Sequence, residues 1–150
     1  MNIQKVKQGA KITLYNGVYM IFYGIFYIFF LKMNMRQNFR EINELWGFFI
    51  RYDANIAVLF TLFNVFIGIL LISNGIFIIY LSDYIIKRKD KMTWVVLFLS
   101  GIISWGGILT ISILLKNVLL IVTAGIGWLS FIIGMLIPIS YYLRKSYKVY

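Results

Sequence analysis

Long apolar runs, separated by short basic stretches, set the pattern of this chain. The first runs from Ile12 to Leu31, between Lys11 and Lys32. The second begins at Ala54, is apolar to about Leu81, and has an apolar skirt to Ile86. The third extends from Trp94 to Leu115 and the fourth from Val118 to Leu143. None carries a charge in its centre. Each reaches the roughly 20 residues that a helix needs to cross about 30 Å of hydrocarbon. Backbone groups in lipid must be paired within the chain, which favours helices, and the absence of period-2 alternation argues against a β-barrel. The pattern therefore predicts an all-α integral membrane protein. Its four transmembrane helices, over 12–31, 54–86, 94–115 and 118–143, form an antiparallel bundle within a single domain over 1–150. The turn at Lys116 and Asn117 is short enough to make the last two helices a hairpin.

The first run follows Lys5, Lys7 and Lys11, as a signal peptide would. It is too long and too aromatic for that role, and no small-residue cleavage site follows it, so it reads as a retained helix. Between the first two runs, Phe39, Ile42, Trp46, Phe49 and Ile50 recur at helical spacing, with Arg40 and Glu44 elsewhere on the wheel. That spacing predicts an amphipathic helix over 37–50, lying in the outer interface or acting as a lid.

Charge changes the picture by giving an orientation. Ten Lys and Arg residues fall on the side of the two termini and five on the other. The positive-inside rule then predicts cytoplasmic termini in a multi-pass protein of the cell membrane. The net charge of +10 reads as contact with anionic lipid, with no nucleic-acid partner expected. Composition agrees: 61% of residues are hydrophobic and 13% charged, with a mean hydropathy of +0.85. That leaves too little charge to cover a soluble domain, in which about a quarter of residues are charged. Usage rich in Ile, Lys, Asn and Tyr suggests a microbial source.

Candidate chemistry is sparse. The chain has no His and no Cys, which removes imidazole or thiolate metal sites, thiol nucleophiles and His bases. The acids are Glu41, Glu44, Asp53, Asp83 and Asp90. Asp53 and Asp83 each lie fifteen residues from Gly68, roughly 22 Å along a helix, so both reach the interfaces. No carboxylate is left inside the membrane for proton or cation coupling. No glycine-rich phosphate loop occurs. No enzymatic activity and no cofactor are expected.

Three patterns remain. The first is a set of small or weakly polar stripes: Asn64, Gly68 and Gly75 on the second helix, and Gly127, Ser130 and Gly134 on the fourth. They suit close helix packing, within the chain or against a partner. The second is polar. Asn16 and Asn74 each fall roughly 8 Å to the inner side of their segment centres, with Ser100 at a similar level. Pro138 cannot donate to the Gly134 carbonyl. These residues could form one inner-leaflet polar cluster, as structural glue or as a small uncharged binding site. The third is Trp105 with Trp128, both near mid-membrane beside glycines. They read as rings packed into glycine notches, or as an aromatic pocket for a lipid or quinone. The leading functional expectation is a non-catalytic accessory or structural subunit of a membrane complex, whose partners are lipid and other membrane proteins or copies of itself. The alternatives are a small homo-oligomeric transporter or channel for an uncharged solute, and an apolar-ligand binder.

Overall fold

Residues 2–30 and 54–144 are described in the computed structural model of the chain. Along the first helix, Val6, Gly9, Ala10, Thr13, Asn16, Met20, Tyr23 and Tyr27 are all buried. Their spacing of three and four is that of one helical face. Helix α1 spans Asn2–Phe29. It begins ten residues before the apolar run does, because the buried stripe continues beneath exposed Lys5, Lys7 and Lys11. Hydropathy averaged over all faces hides such a start. Helices α2 (Ala54–Arg88), α3 (Lys91–Leu114) and α4 (Val118–Leu136) follow. Helices α1 to α4 are each long and apolar enough to cross a membrane. The segment predicted as an amphipathic helix, 37–50, lies outside the described residues.

The helix ends follow local chemistry. Lys87 and Arg88 sit in the last turn of α2, where cations complement the helix dipole. Lys89 then turns the chain with φ 53°, and Asp90 caps α3. The Asp90 carboxylate accepts from the Thr93 backbone N–H and from the Thr93 hydroxyl, both at 2.7 Å. Those two bonds hold the Asp90 carboxyl below the usual carboxylate range. At the far end of α3, Lys116 repeats the left-handed turn with φ 49°, and Asn117 caps α4 through the Leu120 N–H. The fourth predicted helix, 118–143, is interrupted. Pro138 has no N–H to donate, so α4 ends at Leu136 and a short helix α5 (Ile139–Arg144) follows.

Helix α1 packs most extensively on α2; α4 touches both α1 and α3, and the α2–α3 seam is the sparsest of the four. Glycines make the α1–α2 seam. A Cβ at Gly24 would lie 2.8 Å from the Gly68 carbonyl oxygen, and one at Gly17 would lie 2.9 Å from that of Gly75. Both pairs are seven residues apart on each helix, so the backbones touch twice along one face. In lipid this closeness matters more than in water, because apolar burial does not drive helices together there and packing does. Next to this seam the Ser82 hydroxyl donates to that of Thr13 at 2.9 Å.

Not every glycine is used this way. A Cβ at Gly106 would meet nothing within 4 Å. Gly24→Ala is therefore expected to destabilise the protein by about 1–3 kcal/mol through overpacking. Gly106→Ala should be neutral or stabilising by up to about 1 kcal/mol, because alanine is the better helix former. Unfolding midpoints of both variants in one detergent check this; equal shifts would contradict the seam.

Candidate functional site

Near the middle of the helices the chain buries one amide and satisfies it completely. Asn16 is 3% exposed. Its Nδ2 donates to the Gly127 carbonyl at 2.7 Å and to the Ser130 hydroxyl at 2.8 Å. Its Oδ1 accepts from the Trp105 indole N–H at 2.8 Å. One side chain of α1 thus binds α3 and α4 together. Asn16 is central because α1 starts at Asn2, and Gly127 is the central residue of α4. Trp105 lies about 4 Å of rise from the middle of α3. The node therefore sits near the middle of α1 and α4.

Trp105 is wholly buried, and a Cβ at Gly127 would lie 2.2 Å from its ring. The indole occupies space that any other residue at 127 would fill. Its other neighbours are aromatic. Tyr19 stacks on it with centroids 5.8 Å apart, and Tyr23 tilts against it at 6.1 Å. The Tyr19 hydroxyl donates to the Thr123 carbonyl at 3.0 Å. A second ring fills a notch one turn away, where Phe131 faces Gly101.

The other residues marked by the sequence are spread over separate sets. Asn74 does not join Asn16. Its Nδ2 donates to the Ser104 hydroxyl across the α2–α3 seam, and Ser104 in turn donates to the Ser100 carbonyl at 2.8 Å. The Asn16 amide is saturated by α3 and α4, and Asn74 presents its amide to α3, so the expected single cluster is divided. Gly134 and Pro138 serve packing: a Cβ at Gly9 would lie 2.5 Å from the Gly134 carbonyl oxygen and 2.7 Å from Pro138 Cδ. Asn64 donates to the Phe60 carbonyl of its own helix. Gly68 and Gly75 lie in the α1–α2 seam, and Ser130 supports Asn16. Trp128 is only partly buried against the core.

A cavity of about 610 Å³ opens between α1 and α4 toward the α3–α4 turn. Tyr19, Tyr23, Phe22, Phe26, Phe30 and Leu119 are among its lining residues. Neither Trp105 nor Trp128 lines it. Trp105 instead stands behind it, stacked on Tyr19 and Tyr23. Tyr19 and Tyr23, four residues apart on α1, share the helical face that forms this wall.

Among the described residues no group of His, Cys, Asp and Glu could hold a metal ion. Several hydroxyls donate to the carbonyl four residues back in their own helix, including those of Thr61, Thr110 and Ser112. No protein-family model, curated protein or solved structure matches the chain.

The node generates a quantitative expectation. Asn16→Ala strands the Trp105 N–H, and Trp105→Phe strands the Asn16 carbonyl oxygen. Each should destabilise by about 1–3 kcal/mol or more, with a cavity added for the ring change. A double-mutant cycle in detergent should give a coupling of about 0.6–1.7 kcal/mol, the range for interhelical bonds in membranes. Strict additivity would show that the two side chains do not interact.

Proposed function

We propose that this chain is a non-catalytic subunit of a membrane protein complex, folded as an antiparallel four-helix bundle in the cell membrane with cytoplasmic termini. One observation carries the reading. Where glycines are close to another helix, backbone or ring fills the space beside them, as at Gly17, Gly24, Gly127 and Gly134. At Gly106 and Gly107 of α3 and Gly125 of α4, a Cβ would meet nothing within 4 Å. A mid-helix glycine costs up to about 1 kcal/mol in helix propensity. Glycines that serve no contact inside the chain are suited to a helix from outside it. Helix α2 adds further surface, since only 11% of its most apolar window is buried within the chain.

The polar groups argue in the same direction. A solute path would need side-chain groups free to replace water. The amides of Asn16 and Asn74 are instead engaged in bonds between helices, and the threonine hydroxyls bond back to their own carbonyls. A second reading, an apolar-ligand binder, is favoured by the cavity between α1 and α4, whose 610 Å³ falls in the usual range for small-molecule sites.

Native mass spectrometry of the protein, extracted from its own membranes in a mild detergent, tests the subunit reading. The expected result is a fixed stoichiometry with other polypeptides. Gly107→Leu should release them while leaving the unfolding midpoint of the isolated chain within about 0.5 kcal/mol of wild type, because nothing in the chain packs there. A chain that emerges alone, or only with copies of itself, contradicts the reading.

A further inference from the structure

Among the described residues, three buried polar side-chain atoms are left without a hydrogen-bond partner: Tyr23 Oη, Trp94 Nε1 and Tyr142 Oη. Buried polar groups are normally paired, so each exception calls for a cause. Two of the three belong to one ring stack. Trp94, in the first turn of α3, stacks on Tyr142 of α5 with centroids 5.1 Å apart, and Phe98 covers it at 5.5 Å and 4°. Trp94 is 8% exposed and Tyr142 1%. Burial, then Tyr141, then Asp90 push the Tyr142 phenol up to about 12, so it keeps its proton at neutral pH. The stack on Trp94 places the Tyr142 ring toward the α2–α3 turn.

The missing partner has a definite chemistry. An indole N–H donates and cannot accept, so what is absent is an acceptor. The surrounding turn carries Lys87, Arg88, Lys89 and Lys91. Its two acids are engaged: Asp83 pairs with Lys87 at 2.6 Å, and Asp90 is held by Thr93. The far end of the helices has only Lys116 among the described charged residues. Trp and Tyr beside Lys and Arg at a helix end are the side chains that meet lipid headgroups.

We propose that Trp94, Tyr142 and the basic α2–α3 turn hold the phosphate of an anionic glycerophospholipid. The indole and the phenol each donate to a phosphate oxygen, and the lysines neutralise its charge. Neither donor is open to bulk water, so the oxygen enters with a small displacement of the Tyr142 ring. The site is separate from the open glycines of the subunit reading and stands or falls without it.

The test uses the full chain in micelles containing equal phosphatidylcholine and phosphatidylglycerol, with retained lipid counted by native mass spectrometry. Trp94→Phe and Tyr142→Phe keep the stacked rings and each remove one donor. Wild type should retain phosphatidylglycerol over phosphatidylcholine by about tenfold, because the choline cation of the latter meets the basic turn, and each variant should retain about tenfold less phosphatidylglycerol than wild type, as expected for loss of a hydrogen bond to a charged group. Unfolding midpoints in a phosphate-free maltoside detergent should be unchanged in both variants, because the donors are unpaired there. Equal retention of phosphatidylglycerol by wild type and both variants, or no preference for it in the wild type, overturns the site. If inorganic phosphate raises the unfolding midpoint as much as the lipid does, the assignment to lipid is overturned and a free phosphate site takes its place.

Discussion

Helices in lipid gain little from burying apolar surface, so their association depends on how closely backbones can approach and on what polar bonds cross between them. In this chain both conditions meet at Asn16. Its amide joins α1 to Trp105 of α3 and to Gly127 and Ser130 of α4. The bonds form only because Gly127 leaves room for the Trp105 ring. The ring in turn supports Tyr19 and Tyr23, which wall the cavity between α1 and α4. Glycine contacts at 17 and 24 then fix α2 against the other side of α1. One helix thus organises the rest: α1 meets α2 through backbone contact and meets α3 and α4 through polar and aromatic contact.

The seams differ in how closely they are packed. The α1–α2 seam is closed by glycines, whereas α2 meets α3 at Asn74 and Ser104 but is otherwise sparsely packed there. Gly106 and Gly107 lie on α3 with no close neighbour. Close packing and open surface therefore share α3 and α4, where Gly101 and Gly127 hold rings while Gly106, Gly107 and Gly125 meet nothing within 4 Å.

Much of the helix content was legible from run length and charge alone, because about 20 apolar residues in succession admit few other structures. Two boundaries were not. The start of α1 is hidden by lysines on its exposed face, and an average over residues cannot show that Val6, Ala10 and Thr13 share a buried one. The break after Leu136 follows from Pro138, but proline can also sit within a kinked helix, so the residue alone does not decide. The site was legible in its parts. Asn16 and Trp105 each stood out as polar demands within apolar runs, and Gly127 as a notch. Their pairing depends on how α1 is rotated and raised against α3 and α4, which no single helical wheel contains. Thr13 was missed because it is an ordinary hydroxyl in its own helix; only the α1–α2 contact brings it to Ser82.

The central claim is that the Trp105 indole N–H is hydrogen-bonded to Asn16 in the interior of the helices. It is tested most directly by the exchange of that single proton in ¹⁵N-tryptophan-labelled protein. Four indole signals are expected, one for each Trp, and Trp105→Phe assigns the one that matters. The account predicts that this proton exchanges with deuterium only on the timescale of global unfolding, and that Asn16→Leu accelerates its exchange and shifts its resonance more than any other indole's. A Trp105 indole proton that exchanges rapidly in the wild type, or whose resonance ignores the change at Asn16, would contradict it.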